Sequence, residues 1–475
     1  MRSRIALLRG RVVVVLLLAG VGTLAGGAEA KKQREKAPPP ELLQHARLLA
    51  IDRGGEHREA IRAAGAAGVR AVIWAFREKD PYQIVVGTRL LAEMGDPSAA
   101  KPIIDAYLAV PEVRRVPADL PYSLKAFGEP ASRLVLAGLD AGKNELIPLA
   151  GIVCGPAAVP KLVELAGRQG RDLAYYETIA WALGGTQSPK AIDTLVELYK
   201  MKDLSGSLGC VHYALRNIGK AGASRFVEIL QGNSDPAIRA VMMDMVEEFQ
   251  VREAIPTLAA IAGDQKLDWS GLRSSALSAL SSFPDNGHAD LFFRATQENL
   301  PNEWASTAAV VGLGNSGDAR AGPLLRERIE RSIRGDYPSM LESMGRCRWS
   351  EAPEYLIKFL PRTGERGGLR VTYTLKGLGH TGDRRAAKTV LDWLQTNFPE
   401  HRGSAEDDAS VRAAIDALGE LGAEEAIETL ERIKNVAFYS ICGNYGPRYS
   451  YRELATNAIE AIRRAARERG KPNAP

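Results

Sequence analysis

The chain has 475 residues, 45% hydrophobic and 25% charged, with a formal net charge of +5. That balance belongs to a folded protein with a large core and excludes a disordered or collagen-like chain. Cys154, Cys210, Cys347 and Cys442 lie 56, 137 and 95 residues apart with no CxxC pair, which excludes a zinc pattern and a dense disulfide framework.

The first thirty residues read as a secretory signal. Arg2, Arg4, Arg9 and Arg11 lead into the apolar run Val12 to Ala19, and Ala28-Glu29-Ala30 supplies a small-residue cleavage site. An uncleaved anchor is the alternative, because Val12 to Ala28 falls just short of the roughly 20 residues needed to span a bilayer. Cleavage removes four arginines and Glu29 and lowers the charge from +5 to +2, too near neutral for a whole-molecule polyanion binder. Residues 31–40, KKQREKAPPP, form a basic, proline-rich linker. Residues 41–88, including GGEHREAIRAAGAAGVRAVIWAF, are expected to be N-terminal capping helices. No later segment is continuously apolar for long enough to span a membrane.

From residue 89 to 434 one pattern recurs. It reads LLAEMGDPSAAKPIIDAYL from Leu90, WALGGTQSPKAIDTLVELY from Trp181, VVGLGNSGDARAGPLLRERI from Val310, TLKGLGHTGDRRAAKTVLDWL from Thr374 and IDALGELGAEEAIETLERI from Ile415. Weaker copies stand between them, and a degenerate one surrounds Gly155. Turns at Gly95, Gly128, Gly184, Gly219, Phe249, Phe283, Gly314, Gly345, Gly379 and Gly419 then give a period of about 27 to 40 residues.

Apolar residues at i, i+3, i+4 and i+7 on both sides of each turn predict two amphipathic helices per unit. The glycine of each turn is expected to end the first helix in a left-handed conformation. Asp318, Asp383, Asp96-Pro97, Asp235-Pro236 and Ser188-Pro189 are expected to open the second helix, as N-cap acceptor and N1 proline. A small alanine after the cap lets the paired helices approach. One hairpin cannot bury its apolar stripe but a stack can, so the fold class is an all-α solenoid. In such a stack distant cysteines cannot meet, and buried or isolated thiols are expected.

These Leu-Gly-x-x-Gly-(Asp)-x-x-Ala hairpins resemble HEAT repeats, in the short form also seen in phycobilin-lyase-like proteins, over roughly residues 89 to 434. The resemblance implies a right-handed superhelix of about eleven HEAT-like repeats and a role as scaffold and binding surface. One HEAT-type family, the deoxyhypusine hydroxylases, binds iron through His-Glu pairs. None of His45, His57, His212, His288, His380 and His401 is followed by Glu, and the six are read as scattered over separate units, with His380 an exposed polar residue in a repeat turn.

Other chemistry is equally thin. Gly312-Leu-Gly314-Asn-Ser-Gly317 and Gly377-Leu-Gly379-His-Thr-Gly382 satisfy G-x-G-x-x-G, but a dinucleotide site needs a preceding strand and a helix is expected before each. No G-x-S-x-G elbow occurs. No enzyme activity, cofactor, metal or nucleic-acid partner is therefore expected.

Two features remain as candidate binding surface. Arg320 to Lys388 holds 15 Lys and Arg against 8 Asp and Glu, and Glu400 to Glu431 holds 10 acidic against 2 basic residues. These opposite fields could orient a charged partner, with Arg326, Arg384 and Arg385 as contacts, or could be solvated outer faces. Residues 435–452, NVAFYSICGNYGPRYSYR, interrupt the repeat with an aromatic loop whose Tyr439, Tyr445, Arg448, Tyr449 and Tyr451 suit a binding hot spot. Alternatively the loop covers the last repeat, with Ser450 and Glu453 capping the terminal helix. Residues 453–475 are a C-terminal capping helix and tail.

The expectation is a non-catalytic, exported scaffold, periplasmic, cell-surface or secreted, that binds a protein or peptide and has no membrane span once the signal is cleaved. An enzyme or ligand-binding protein with an unrecognised pocket, and a polyanion or glycan binder using residues 320–388, are the alternatives.

Overall fold

The computed structural model describes residues 37–115, 119–168, 170, 172–201, 208–269, 271–298, 300, 303–331, 338–360, 368–398, 405–435 and 451–469. Among them every regular element is a helix. The expected signal, residues 31–36 of the linker and residues 436–450 of the aromatic loop lie outside the described residues.

The helices alternate between two rows. The first row runs Pro81–Met94, Asp119–Lys125, Ile147–Cys154, Leu173–Gly185, Leu208–Ile218, Pro236–Glu248, Leu272–Ser281, Glu303–Asn315, Pro338–Arg346, Leu369–His380, Ala405–Glu420 and Tyr451–Arg469. Each packs on the next without a break. The second row, from Ala100–Ala109 to Ile427–Asn435, returns the chain between them, and its members touch one another far less. Pro40–Leu48, Glu56–Ala63 and Ala66–Ala75 precede the first row. One apolar core runs the length of the stack, from Ala46 to Ile462. Each hairpin thus completes the core of its neighbours, which no hairpin could do alone.

The repeat turn does its work with different residues than its sequence suggests. Gly95 ends Pro81–Met94 in the left-handed conformation, φ 71°, as expected. Gly219 likewise follows Leu208–Ile218 with a positive φ, 65°. In five other units the first-row helix continues through Gly184, Gly314, Gly345, Gly379 or Gly419. The left-handed residue comes three positions later, at Gln187, Gly317, Arg348, Gly382 and Gly422. Gln250 and Asp285 are left-handed too, so Glu247 and Ser282 hold the glycine register, not Phe249 and Phe283.

Close approach explains the in-helix glycines. A Cβ on Gly184 would stand 2.5 Å from Ala214 Cα, and one on Gly379 would stand 2.9 Å from Ala417 Cα. Carbon atoms rest at about 3.5–4.0 Å, so a side chain at either position forces the helices apart.

Several second-row helices open with a 3-10 turn, among them Pro97–Ala99, Arg252–Ala254, Arg384–Ala386 and Glu424–Ala426, and the alanine closing each is fully buried. Asp96 and Asp383 cap these turns, accepting from the N–H of Ser98 and of Arg385 at 2.9 Å each. Asp235 instead caps the first-row helix Pro236–Glu248, and Ser188 makes no side-chain cap. The apolar stretch Asn144–Ala166 does have the length and hydropathy of a membrane span, mean hydropathy 1.7, contrary to the sequence reading. It is bent at Gly155, φ 55°, into Ile147–Cys154 and Val159–Ala166, and 56% of its 18-residue apolar window is buried in the stack. Cys154, Cys210 and Cys347 are buried free thiols. Cys442 lies outside the described residues.

Candidate functional site

A stack whose rows are unequally spaced curves toward the tighter row, so the first-row helices face the inside of the curvature. Among the described residues the exposed large apolar side chains are Ile51, Tyr82, Tyr122, Val163, Leu173, Trp181, Tyr213, Trp304 and Leu369. All but Ile51 and Val163 sit on first-row helices. A core helix hides such side chains, so large apolar groups left in water on this row need a reason.

The repeat register orders this face. The residue six positions before the left-handed turn residue recurs as a ridge: Trp181, Tyr213, Asp244, Ala279, Val311, Glu342, Lys376 and Asp416. Its members come from successive helices, and the first two meet: the Trp181 and Tyr213 rings lie 4.3 Å apart, 48% and 46% exposed. Beside them His212 stacks on Tyr199 at 6.4 Å, its Nε2 buried with no hydrogen-bond partner.

Acidic residues follow the aromatic pair. On Pro236–Glu248, Glu248 pairs with Arg216 at 2.6 Å. Burial, with Glu248 adding to it, raises the Asp244 carboxyl against the pull of His212 and Arg216. Burial and then the Asp244 charge push Glu247 up to about 7. At the register of Gly184, Gly314, Gly345, Gly379 and Gly419, Glu247 points a carboxyl at the next helix, and a cleft of ≈ 440 Å³ opens there. Ser278, Ser281 and Ser282 line it from Leu272–Ser281 and its end, Trp304, Thr307 and Asn315 from Glu303–Asn315, and Glu342, Ser343 and Arg346 from Pro338–Arg346.

At its far end the cleft meets a self-neutralised charge cluster. Arg346 Nη2 lies 2.8 Å from Glu342 Oε1 and 2.6 Å from His380 Nε2. His380 stands 3.3 Å from Glu342 through Nε2 and 2.9 Å from Glu420 through Nδ1. Burial works against the imidazolium, but the hydrogen bonds to Glu342 and Glu420 outweigh it and hold His380 above its ordinary pKa. Burial would likewise raise Glu342, and hydrogen bonds from His380 and Arg346 instead hold it at about 2. The short Arg346 contact is a hydrogen bond only to a neutral His380 with its proton on Nδ1; the imidazolium donates to both carboxylates and displaces Arg346. His380 is therefore not the exposed turn residue that its sequence position suggests.

The sequence candidates fall elsewhere. Tyr439, Tyr445, Arg448 and Tyr449 lie outside the described residues. Tyr451 is buried at the start of the last helix, edge-on to Phe398 at 5.8 Å. Arg326, Arg384 and Arg385 are exposed around the second row, where they pair with Glu330 at 2.9 Å, Glu425 at 3.2 Å and Asp383 at 2.6 Å. In the same block Arg320 pairs with Asp318 and Asp290, and Arg331 with Glu327. Both G-x-G-x-x-G runs sit at the ends of helices, with no strand before them. His45 and His57, expected apart, bring their Nδ1 atoms to 3.0 Å. Among the described residues no three His, Cys, Asp or Glu side chains gather to hold a metal ion.

Trp181, Tyr213, Asp244, Glu247 and Glu342 were missed because the sequence reading placed the turns without a common register. The signal was present: counting back six residues from the turn puts Trp181, Tyr213, Asp244 and Glu342 on one ridge, and counting back three puts Glu247 in the glycine register.

Two unequally packed rows of alternating helices define a helical repeat protein. Residues 411–435, from within Ala405–Glu420 to the end of Ile427–Asn435, match the family model of the PBS lyase HEAT-like repeat, which supports a HEAT-like repeat family. No curated protein matches the chain.

Proposed function

We propose that the chain is a non-catalytic, exported scaffold, a right-handed solenoid of about eleven HEAT-like repeats, that binds a protein or peptide along its first-row face. The half-exposed Trp181–Tyr213 pair on that face carries the reading. Tyr and Trp offer large contact area with a polar handle at small conformational cost, which makes them the commonest binding anchors. Ion pairing of Arg320, Arg326, Arg331 and Arg385 favours this reading over a polyanion surface. The cleft beside Glu247 favours a second one, a small-ligand site on the same face.

A photo-cross-linking residue at Tyr213, compared with one at exposed Val163 on the second row, tests the proposal in native secreted or envelope material. The expected result is a discrete adduct from position 213, absent from position 163 and lost with Trp181→Ala. Adducts of equal yield from both positions would overturn it. N-terminal sequencing of the mature protein, expected to begin at Lys31, tests export.

A further inference from the structure

We infer that the first-row strip from Trp181 and Tyr213 to Asp244 and Glu247 seats an arginine- or lysine-bearing peptide segment, a cationic side chain of which enters between the aromatic pair and the two carboxyls. The inference rests on the first-row face being a partner-binding face and names the chemistry of that partner.

The first support is the set of cations the chain supplies to its own aromatic rings. Arg77 lies over Trp74 and Arg273 over Trp269 at 3.6 Å each, Arg320 over Phe293 at 4.1 Å, and Lys376 over Tyr373 at 4.8 Å. Among the described residues no such cation covers Trp181 or Tyr213. A guanidinium or ammonium gains about 0.5–2 kcal/mol over such a face, more as water is excluded.

A second, independent support is the pairing of the acids. Glu248 has Arg216 and Glu342 has Arg346. Among the described residues the side chains of Asp244 and Glu247 have no hydrogen-bond or ion-pair partner. Glu247 is half-buried beside the more exposed Asp244, and a carboxyl drawn from water without a hydrogen-bonded partner is costly, a cost that an incoming cation removes.

Geometry joins the two. Tyr213 and Asp244 hold the same register on neighbouring helices, as do Trp181 and Tyr213, whose rings touch. A peptide crossing the stack therefore meets aromatic faces and then carboxylates in succession. Beyond Glu247 the strip continues into the ≈ 440 Å³ cleft past Ser278 and Thr307, which suits an extended chain better than a lone cation. Because Glu247 stays protonated to about 7, binding a cation releases its proton, and affinity rises with pH through that value.

The test uses the mature full chain and a short fluorescein-labelled Gly-Arg repeat peptide, followed by anisotropy. Its Gly-citrulline counterpart keeps the shape without the charge. The expected result is binding at least about tenfold tighter for the arginine peptide, equivalent to about 1.4 kcal/mol. Affinity should be severalfold higher at pH 8 than at pH 6. Trp181→Ala and the double change Asp244→Asn with Glu247→Gln should each weaken binding about tenfold with the circular dichroism spectrum unchanged, while Glu253→Gln on the second row should not.

Equal affinity for the citrulline peptide, or indifference to both ridge variants, overturns the inference. Spermine competing as well as the peptide, or self-association through the strip, also overturns it by naming a different occupant. If position 213 still cross-links a native partner while the arginine peptide fails to bind, this inference falls and the scaffold reading stands.

Discussion

Gly184→Ala adds one methyl group at a point where two first-row helices approach closely. The new Cβ would lie 2.5 Å from Ala214 Cα, 2.8 Å from Ala214 Cβ and 3.0 Å from Ala214 O. None of these atoms can swing away by changing a rotamer, so Leu173–Gly185 and Leu208–Ile218 must part by about 1 Å to reach ordinary contact. Overpacking of this kind costs about 1–3 kcal/mol. Alanine returns about 0.8–1.0 kcal/mol of helix propensity over glycine, which leaves a net loss of up to about 2 kcal/mol. Gly209 is the control, because it lies in Leu208–Ile218 with nothing within 4 Å of a Cβ. Gly209→Ala should be neutral or stabilising by up to about 0.5 kcal/mol. Urea unfolding followed by circular dichroism gives the sign, and hydrogen exchange shows whether the loss centres on these two helices. Trp181 emission should also shift as its ring leaves Tyr213. A Gly184→Ala protein as stable as the Gly209→Ala control would refute close approach as the reason for the in-helix glycines.

Four further outcomes are expected. Phe292, fully buried, should cost about 3–5 kcal/mol on change to Ala, read as a lowered urea midpoint. Glu247 has a folded pKa of about 7 against an ordinary 4.5, so its ionisation opposes folding and stability is lost as pH rises between those values. Glu247→Gln should therefore stabilise at pH 8, by on the order of 1 kcal/mol, and change little at pH 4, as measured by thermal melting. His380 is raised above 6.5, so the stability its imidazolium contributes is present below 6.5 and lost as pH rises through the folded value. An NMR titration of its ring should show a midpoint above 6.5. Glu342, lowered to about 2 from 4.5, contributes above 4.5 and ceases to as pH falls toward 2; Glu342→Gln should cost about 1–3 kcal/mol at pH 7 and flatten that acid limb.

The helices themselves were legible in the sequence because their apolar spacing is local. Pro81–Met94, closed by Gly95, needed no more than its own residues and the αL preference of glycine. Gly184, Gly314, Gly379 and Gly419 were read the same way, and the structure reassigns them, since a glycine needed for left-handed φ and one needed for close approach look alike in a sequence. The reassignment moves the turn by three residues and reveals the ridge. Asp235 shows the same limit: its capping chemistry was plain, but the row of the helix it caps was not.

The candidate site was less legible. Clustering along the chain drew attention to the 320–388 arginines and the 435–452 aromatics, yet Arg326 and Arg385 pair with acids four residues on and two residues back. Trp181 and Tyr213 are separated in sequence and unremarked by composition.

By itself the sequence determined an all-helical hairpin array, because helix period and burial are short-range properties repeated many times. The tertiary structure alone decided which side chains share a face. Residues about 30 apart in this array meet only when one helix row packs closer than the other, and that spacing is set by glycines whose neighbours belong to the next repeat.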